Sequence, residues 1–490
     1  MRNYKNYIKI AFLLAVFILP SCTKDFKELA VNPNSSTLAL PQTLLAPAIT
    51  DLVSRNMTRN QRVNNELMQV HVDQGDTEGR IHRYDIRPTE ATSMWNNWYL
   101  QLTNIRDIYS SGKKRDAIGE TQGKTYMGIS LILDAWVMSL ITDMYGNCPY
   151  TDAAKAKEGI FLPKFDKQED IYTDLLRKLE EANTLLTIGS NLPADQVSAD
   201  PLYNGVALNW RKFGNSIYLR LLLRISAKKP TEVAAKIKEI AETKVSTYPL
   251  IASNAESAIL KWTGADPYRS PFAIWRPADW VSPGYAEFFV KNLMDWGDPR
   301  ITKWADLYLG QYAGMPSGFE AGVVPQRKSK PLPALMNEPL LGNVINYAEV
   351  QFMLAEAAVR GYFNGNAKTY YDNGITNGIT LWGLTLPTGH LTKPDVVWDE
   401  TLGLPGKLER IHGQKYYALY YTDFQQWYEY RRTGYPILPK GAGLRNNGEM
   451  PTRLIYPVYL YSTNKQNLDQ AIGQQGADNM LTKVWWQTPN

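Results

Sequence analysis

Apolar and polar residues recur at helical spacing along most of this chain, and the pattern is densest at residues 346–361. Tyr347, Val350, Leu354, Ala357 and Ala358 fall on one helical face, while Phe352, Ala355 and Val359 make a second apolar stripe. Gly361, after Arg360, supplies a C-terminal stop. A helix that is apolar on two faces has to be covered on both, so the pattern predicts a helix enclosed by others. Tyr371, Gly374, Ile375, Gly378, Ile379 and Trp382 repeat the spacing directly afterwards. An interior glycine costs a helix about 1 kcal/mol against alanine. Two of them predict close contact with the preceding helix, and the pair reads as an antiparallel helical hairpin over 345–383.

The same periodicity predicts helices at 43–72, 91–110, 119–145, 168–186, 210–226 and 231–243, and two more within 408–433. The 345–383 hairpin has the size of a tetratricopeptide unit, about 34 residues, and consecutive helices bracket further hairpins at about 91–145, 167–228 and 405–433. Residues 129–141 are broken only by Ser130, Asp134 and Ser139. That run predicts a buried helix, too short and too interrupted for a membrane span. It stops at the turn Asp143-Met-Tyr-Gly-Asn-Cys-Pro-Tyr150. Arg211, Arg220 and Arg224 flank the apolar run of 210–226. They read as ligand contacts or, more plainly, as interhelix ion pairs.

Between residues 244 and 340 the pattern dissolves into prolines, glycines and aromatics. A long irregular segment in a compact protein is usually functional. Rings braced by proline loops suit stacking on an amphipathic ligand such as a sugar. Tyr268, Trp275 and Trp280 are the candidates, the alternative being that such rings fill gaps between loops and helices. A polar loop at 71–88 adds Arg80 and Tyr84 as candidate contacts. Its carboxylates, including Asp73, Asp76 and Glu78, lack the spacing of a calcium loop, so it reads as solvated. Residues 450–486 read as turn-rich, with short extended pieces such as 453–457.

Composition adds bounds. The chain is 44% hydrophobic and 12% aromatic over 490 residues, enough for a large core. The formal charge of +5 falls to +2 when Arg2, Lys5 and Lys9 leave with the first 21 residues, which gives no case for nucleic acid. Two cysteines, Cys22 and Cys148, exclude a disulfide framework. Basic residues followed by an apolar run from Ile10 to Leu19 and by Pro20-Ser21-Cys22 form a lipoprotein-type leader over 1–21. Cys22 is then the acylated (palmitate-bearing) N-terminus. Residues 22–41 become a polar tether and 42–490 the folded domain. The alternative is an ordinary secretory leader with an incidental cysteine. Cys148 reads as a small buried residue. The four histidines form no ligand pattern, and no hydrolase, P-loop or dinucleotide signature occurs. A cofactor, a metal or an enzyme is therefore not expected.

With these features in place, the chain resembles the SusD/RagB family of nutrient-binding outer-membrane lipoproteins of Bacteroidota. The resemblance rests on ordered pieces: residues 25–34, the 143–150 turn, 210–220, Asp298-Pro-Arg300, 348–352, 355–358, Trp427-Tyr-Glu-Tyr-Arg-Arg-Thr-Gly-Tyr-Pro436, 451–457 and Trp485-Trp486. It implies a mainly α fold of four tetratricopeptide-like hairpins topped by an irregular ligand-binding half. It also implies a non-enzymatic role at the cell exterior, capturing oligosaccharides for a SusC-type TonB-dependent transporter. A peptide-binding member of the same family is the nearest alternative. A surface glycoside hydrolase and a tetratricopeptide adaptor are more distant ones.

Overall fold

The computed structural model describes residues 40–75 and 77–487, a mainly helical chain. The leader, Cys22 with most of its tether, and Asp76 lie outside the described residues. Helix α1 (Pro41–Arg59) runs through a π-helical turn at Asn60–Asn64 into Asn65–Leu67. Then come α2 (Pro88–Ala117), α3 (Gln122–Tyr145), α4 (Gln168–Ile188), α5 (Ala207–Arg224) and α6 (Pro230–Lys238). After the irregular segment follow α8 (Tyr347–Val359), α9 (Ala367–Thr380), α10 (Leu404–Ala418) and α11 (Gln425–Thr433). The pairs α2–α3, α4–α5 and α8–α9 pack as helical hairpins, while α10 packs mainly on α8 and α9 and meets α11 through side chains such as Lys415 and Glu429.

Residue chemistry fixes these helices in place. Where α2 and α3 meet, Gly112 lies so close to the Gly123 carbonyl that a Cβ would sit 2.8 Å from its oxygen. In the 345–383 hairpin a Cβ on Gly374 would sit 2.6 Å from the Phe352 ring, as the two-glycine pattern requires. Asn346 caps α8 by accepting from the Glu349 N–H at 2.9 Å, and its amide donates to the Ala418 carbonyl at 2.8 Å. Helix α3 is, at 24 residues, long and apolar enough to cross a membrane, so the expectation that it is too short is corrected. It is enclosed instead, being covered by α2, α4 and α5.

The helical layers are joined by buried charge. Arg220 of α5 makes a two-pronged pair with Glu349 of α8, both contacts at 2.7 Å. Arg224 reaches Asp143 at 3.3 Å and Glu429 at 3.2 Å. The arginines of α5 are therefore interhelix partners, not ligand contacts. Asp423 accepts from the Trp136 indole and the Asn56 amide, each at 2.7 Å, and burial pushes its carboxyl up to about 6.

The irregular half holds one helix that its proline-rich setting hides, α7 (Glu287–Trp296), and single turns at Pro277–Trp280 and Ile301–Trp304. The last segment also departs from expectation. Residues 465–475 form helix α12 (Lys465–Gln475), buried through Leu468 and Ala471, and 453–457 is not a strand. Its many Asn and Gln residues leave only Leu468, Ala471 and the half-buried Ile472 to mark it. Among the described residues the strands are short antiparallel pairs. One of them, β1 (His71–Val72) with β2 (Gly284–Tyr285), ties the 71–88 loop to the aromatic segment.

Candidate functional site

Asp73 and Pro283, each next to a strand of the β1–β2 pair, line a cavity of about 360 Å³, within the range of small-molecule sites. Its floor is the end of α1 and the π-helical turn, which bring Thr58, Arg59, Gln61, Arg62 and Glu66 to it. Single π-turns inside helices are frequent at functional sites, because the extra residue re-aims the side chains around it. The opposite wall is Trp275 with Asp279, Ser282 and Pro283, and Asp73 comes from the 71–88 loop.

Trp275 is half-buried, braced edge-on by Phe272 with ring centroids 5.0 Å apart. Phe272 in turn rests on Trp280 at 4.8 Å. A rigid ring beside convergent polar groups is the arrangement that holds one face of a sugar while hydrogen bonds fix its hydroxyls. The charged groups here are mutually arranged. Arg59 and Arg62 share the single carboxylate of Glu90, at 3.0 and 2.6 Å. Arg80 pairs with Asp73, and Arg276 takes Asp279 with two N–H groups at 2.8 and 2.9 Å. Glu66 is buried and accepts from the His82 N–H at 3.1 Å. Burial, reinforced by the nearby Asp73 charge, pushes its carboxyl up to about 8, so it is mostly protonated at neutral pH.

Of the sequence candidates, Trp275 alone lines this cavity. Trp280 is fully buried and donates from its indole to the Leu332 carbonyl at 2.9 Å. It presents no face to a ligand and supports Trp275 through Phe272. Tyr84 is likewise buried, in a left-handed backbone conformation at φ 62°. Tyr268 is half-buried and outside the cavity, with Asp200 near enough to help raise its hydroxyl pKa. Arg80 stands one shell back, on Asp73. Several residues of the 71–88 loop are buried (His71, Ile81, His82, Arg83), which corrects the reading of it as solvated throughout. Sequence reasoning missed Arg59, Arg62 and Glu66. Their spacing of three and four residues puts the three charges on one face of a helix end rich in Asn and Gln, and that was the available signal.

A larger cavity of about 390 Å³ lies beside α7 and α10, but its Trp296 is 9% exposed and offers little ring surface. The fold brings Glu356, His412 and Glu429 within 4.8 Å of one another, a grouping that spacing does not reveal. Arg432 binds both carboxylates at 2.7 Å, and Lys415 takes Glu429 at 2.7 Å. Their charge is answered by protein cations. His412 is pushed down to about 4, chiefly by burial. Burial likewise raises the Cys148 thiol to about 12, an inert side chain.

Comparison with known proteins fits this architecture. The SusD-like family, described as starch-binding and associating with the outer membrane, matches residues 33–457. Among solved structures, a SusD homologue of Bacteroides fragilis is 24% identical, with TM-score 0.75, covering 92% of this chain and all of that one. A chitin-binding SusD homologue of Flavobacterium johnsoniae is 21% identical, with TM-score 0.79 and coverage of 92% and 99%. A SusD homologue of Bacteroides uniformis is 25% identical, with TM-score 0.76 and coverage of 91% and 99%. No curated protein matches the sequence.

Proposed function

The chain belongs to the SusD-like family of starch-binding proteins that associate with the outer membrane, and from that premise we propose that it captures oligosaccharides at the cell surface and delivers them to a SusC-type TonB-dependent transporter. The observation that carries the reading is the cavity itself: one braced, half-buried tryptophan facing a polar helix end across a space sized for sugar rings. The chitin-binding relative supports a glycan over a peptide. Cys22 is the anchor in this reading. Retention of the purified protein on immobilised glycans, with no new reducing ends, is the expected outcome. Retention on peptides and on no glycan contradicts it.

One observation favours a second reading, hydrolysis. A protonated Glu66 near Asp73 is the kind of carboxyl pairing that glycosidases use. Against it, Asp73 is already held by Arg80 and by the Gly75 N–H at 2.9 Å, which leaves it ill placed to attack an anomeric carbon or activate water. Release of reducing ends that is lost in Glu66→Gln is the result that would favour hydrolysis.

A further inference from the structure

The arginines bordering the cavity outnumber the carboxylate they pair with, which bears on the ligand. Arg80 neutralises Asp73, and Arg276 neutralises Asp279. Arg59 and Arg62 have only Glu90 between them. Each commits one N–H to it: Arg59 through Nη1 and Arg62 through Nε. Glu66, the remaining acid, is buried and accepts from the His82 N–H. Two guanidinium groups thus share one carboxylate at the border of the cavity that Trp275 lines.

Resting on the glycan reading above, we propose that this site selects an acidic saccharide, whose carboxylate or sulfate group pairs with Arg59 and Arg62 while a sugar ring stacks on Trp275. A guanidinium presents planar, paired N–H donors that match either anion, and charge-assisted hydrogen bonds are about twice as strong as neutral ones. A neutral glycan in the same place offers the remaining guanidinium N–H groups no charged acceptor. Arg62 is half-exposed and Arg59 about one-third exposed, so both reach an incoming anion without first being unburied.

The test is binding of the full protein to glycans offered as matched pairs: a galacturonan with its carboxyl-reduced form, a glucuronoxylan with plain xylan, and a sulfated fucan with its desulfated form. The acidic member of at least one pair is expected to bind about tenfold more tightly, a gain that high salt removes. Preference within the first two pairs identifies a carboxylate, and preference within the third a sulfate. Arg62→Gln and Arg59→Gln are expected to bring the acidic member down to the level of its neutral partner with unchanged melting. Trp275→Ala is expected to weaken both members. Equal or tighter binding of the neutral members, unaffected by Arg62→Gln, overturns the acidic preference and leaves the glycan reading standing. Failure of every glycan to bind overturns both.

Discussion

At the residue scale, the site depends on a carboxyl kept in an unfavourable setting. The Glu66 carboxyl rises from 4.5 to about 8 in the folded protein. A raised acid contributes stability that is complete below its unfolded value and lost as pH climbs through the folded one. The melting temperature should therefore fall between pH 5 and pH 8.5, by the equivalent of a few kcal/mol. Glu66→Gln should flatten that slope and melt higher at pH 8.5; an unchanged slope shows that Glu66 ionises as it does in water. Trp280 separates two roles for a ring. Its indole is fully buried and bonded to Leu332, so Trp280→Ala should destabilise by about 3–5 kcal/mol in urea unfolding. A change below 1 kcal/mol would mean that its neighbours do not depend on it. From sequence, Trp275 and Trp280 look alike, being five residues apart in the same proline-braced stretch. Only the fold turns one to the cavity and the other to the core.

At the element scale, the helices were largely legible because packing demands periodicity. Residues 168–186 and 346–361 show it plainly, and the observed helices Gln168–Ile188 and Tyr347–Val359 agree within a few residues. Helices α7 and α12 were not legible. The apolar face of α7 (Phe289, Val290, Leu293, Trp296) sits among prolines and aromatics, and α12 has only two buried anchors. The glycines of α9 can be weighed against each other. Alanine gains about 1 kcal/mol over glycine inside a helix. At Gly374 the new Cβ would meet the Phe352 ring at 2.6 Å, and such overpacking costs about 1–3 kcal/mol. At Gly378 the nearest atoms are Arg300 Nη1 at 3.3 Å and the Ala348 Cβ at 3.6 Å, and the Arg300 tip has to give only slightly. Thermal melting should show Gly374→Ala lower than the parent and Gly378→Ala equal or higher. The reverse order would place the wrong glycine in the helix contact.

At the scale of the whole molecule, packed helices form the frame, and the β1–β2 pair joins two loops that line one cavity together with the end of α1. The sequence pointed to both loops but not to their meeting, since pairing of segments some 200 residues apart leaves no local pattern. Delivery to a barrel implies a broad interface of roughly 2,000–5,000 Å². Mild detergent extraction of the tagged protein should therefore recover a TonB-dependent barrel at about one copy per copy. Cys22→Ser should leave the outer-membrane fraction after a salt wash. Recovery of the monomer alone favours a free-standing surface binder. The central claim is that Trp275 holds a sugar in that cavity, and calorimetric titration of the best-retained glycan into wild type and Trp275→Ala, with melting curves for both, tests it most directly. The account expects affinity to fall at least tenfold in the variant while the melting temperature moves by no more than a few degrees. Undiminished binding by a variant that melts early would return Trp275 to the core and contradict the account.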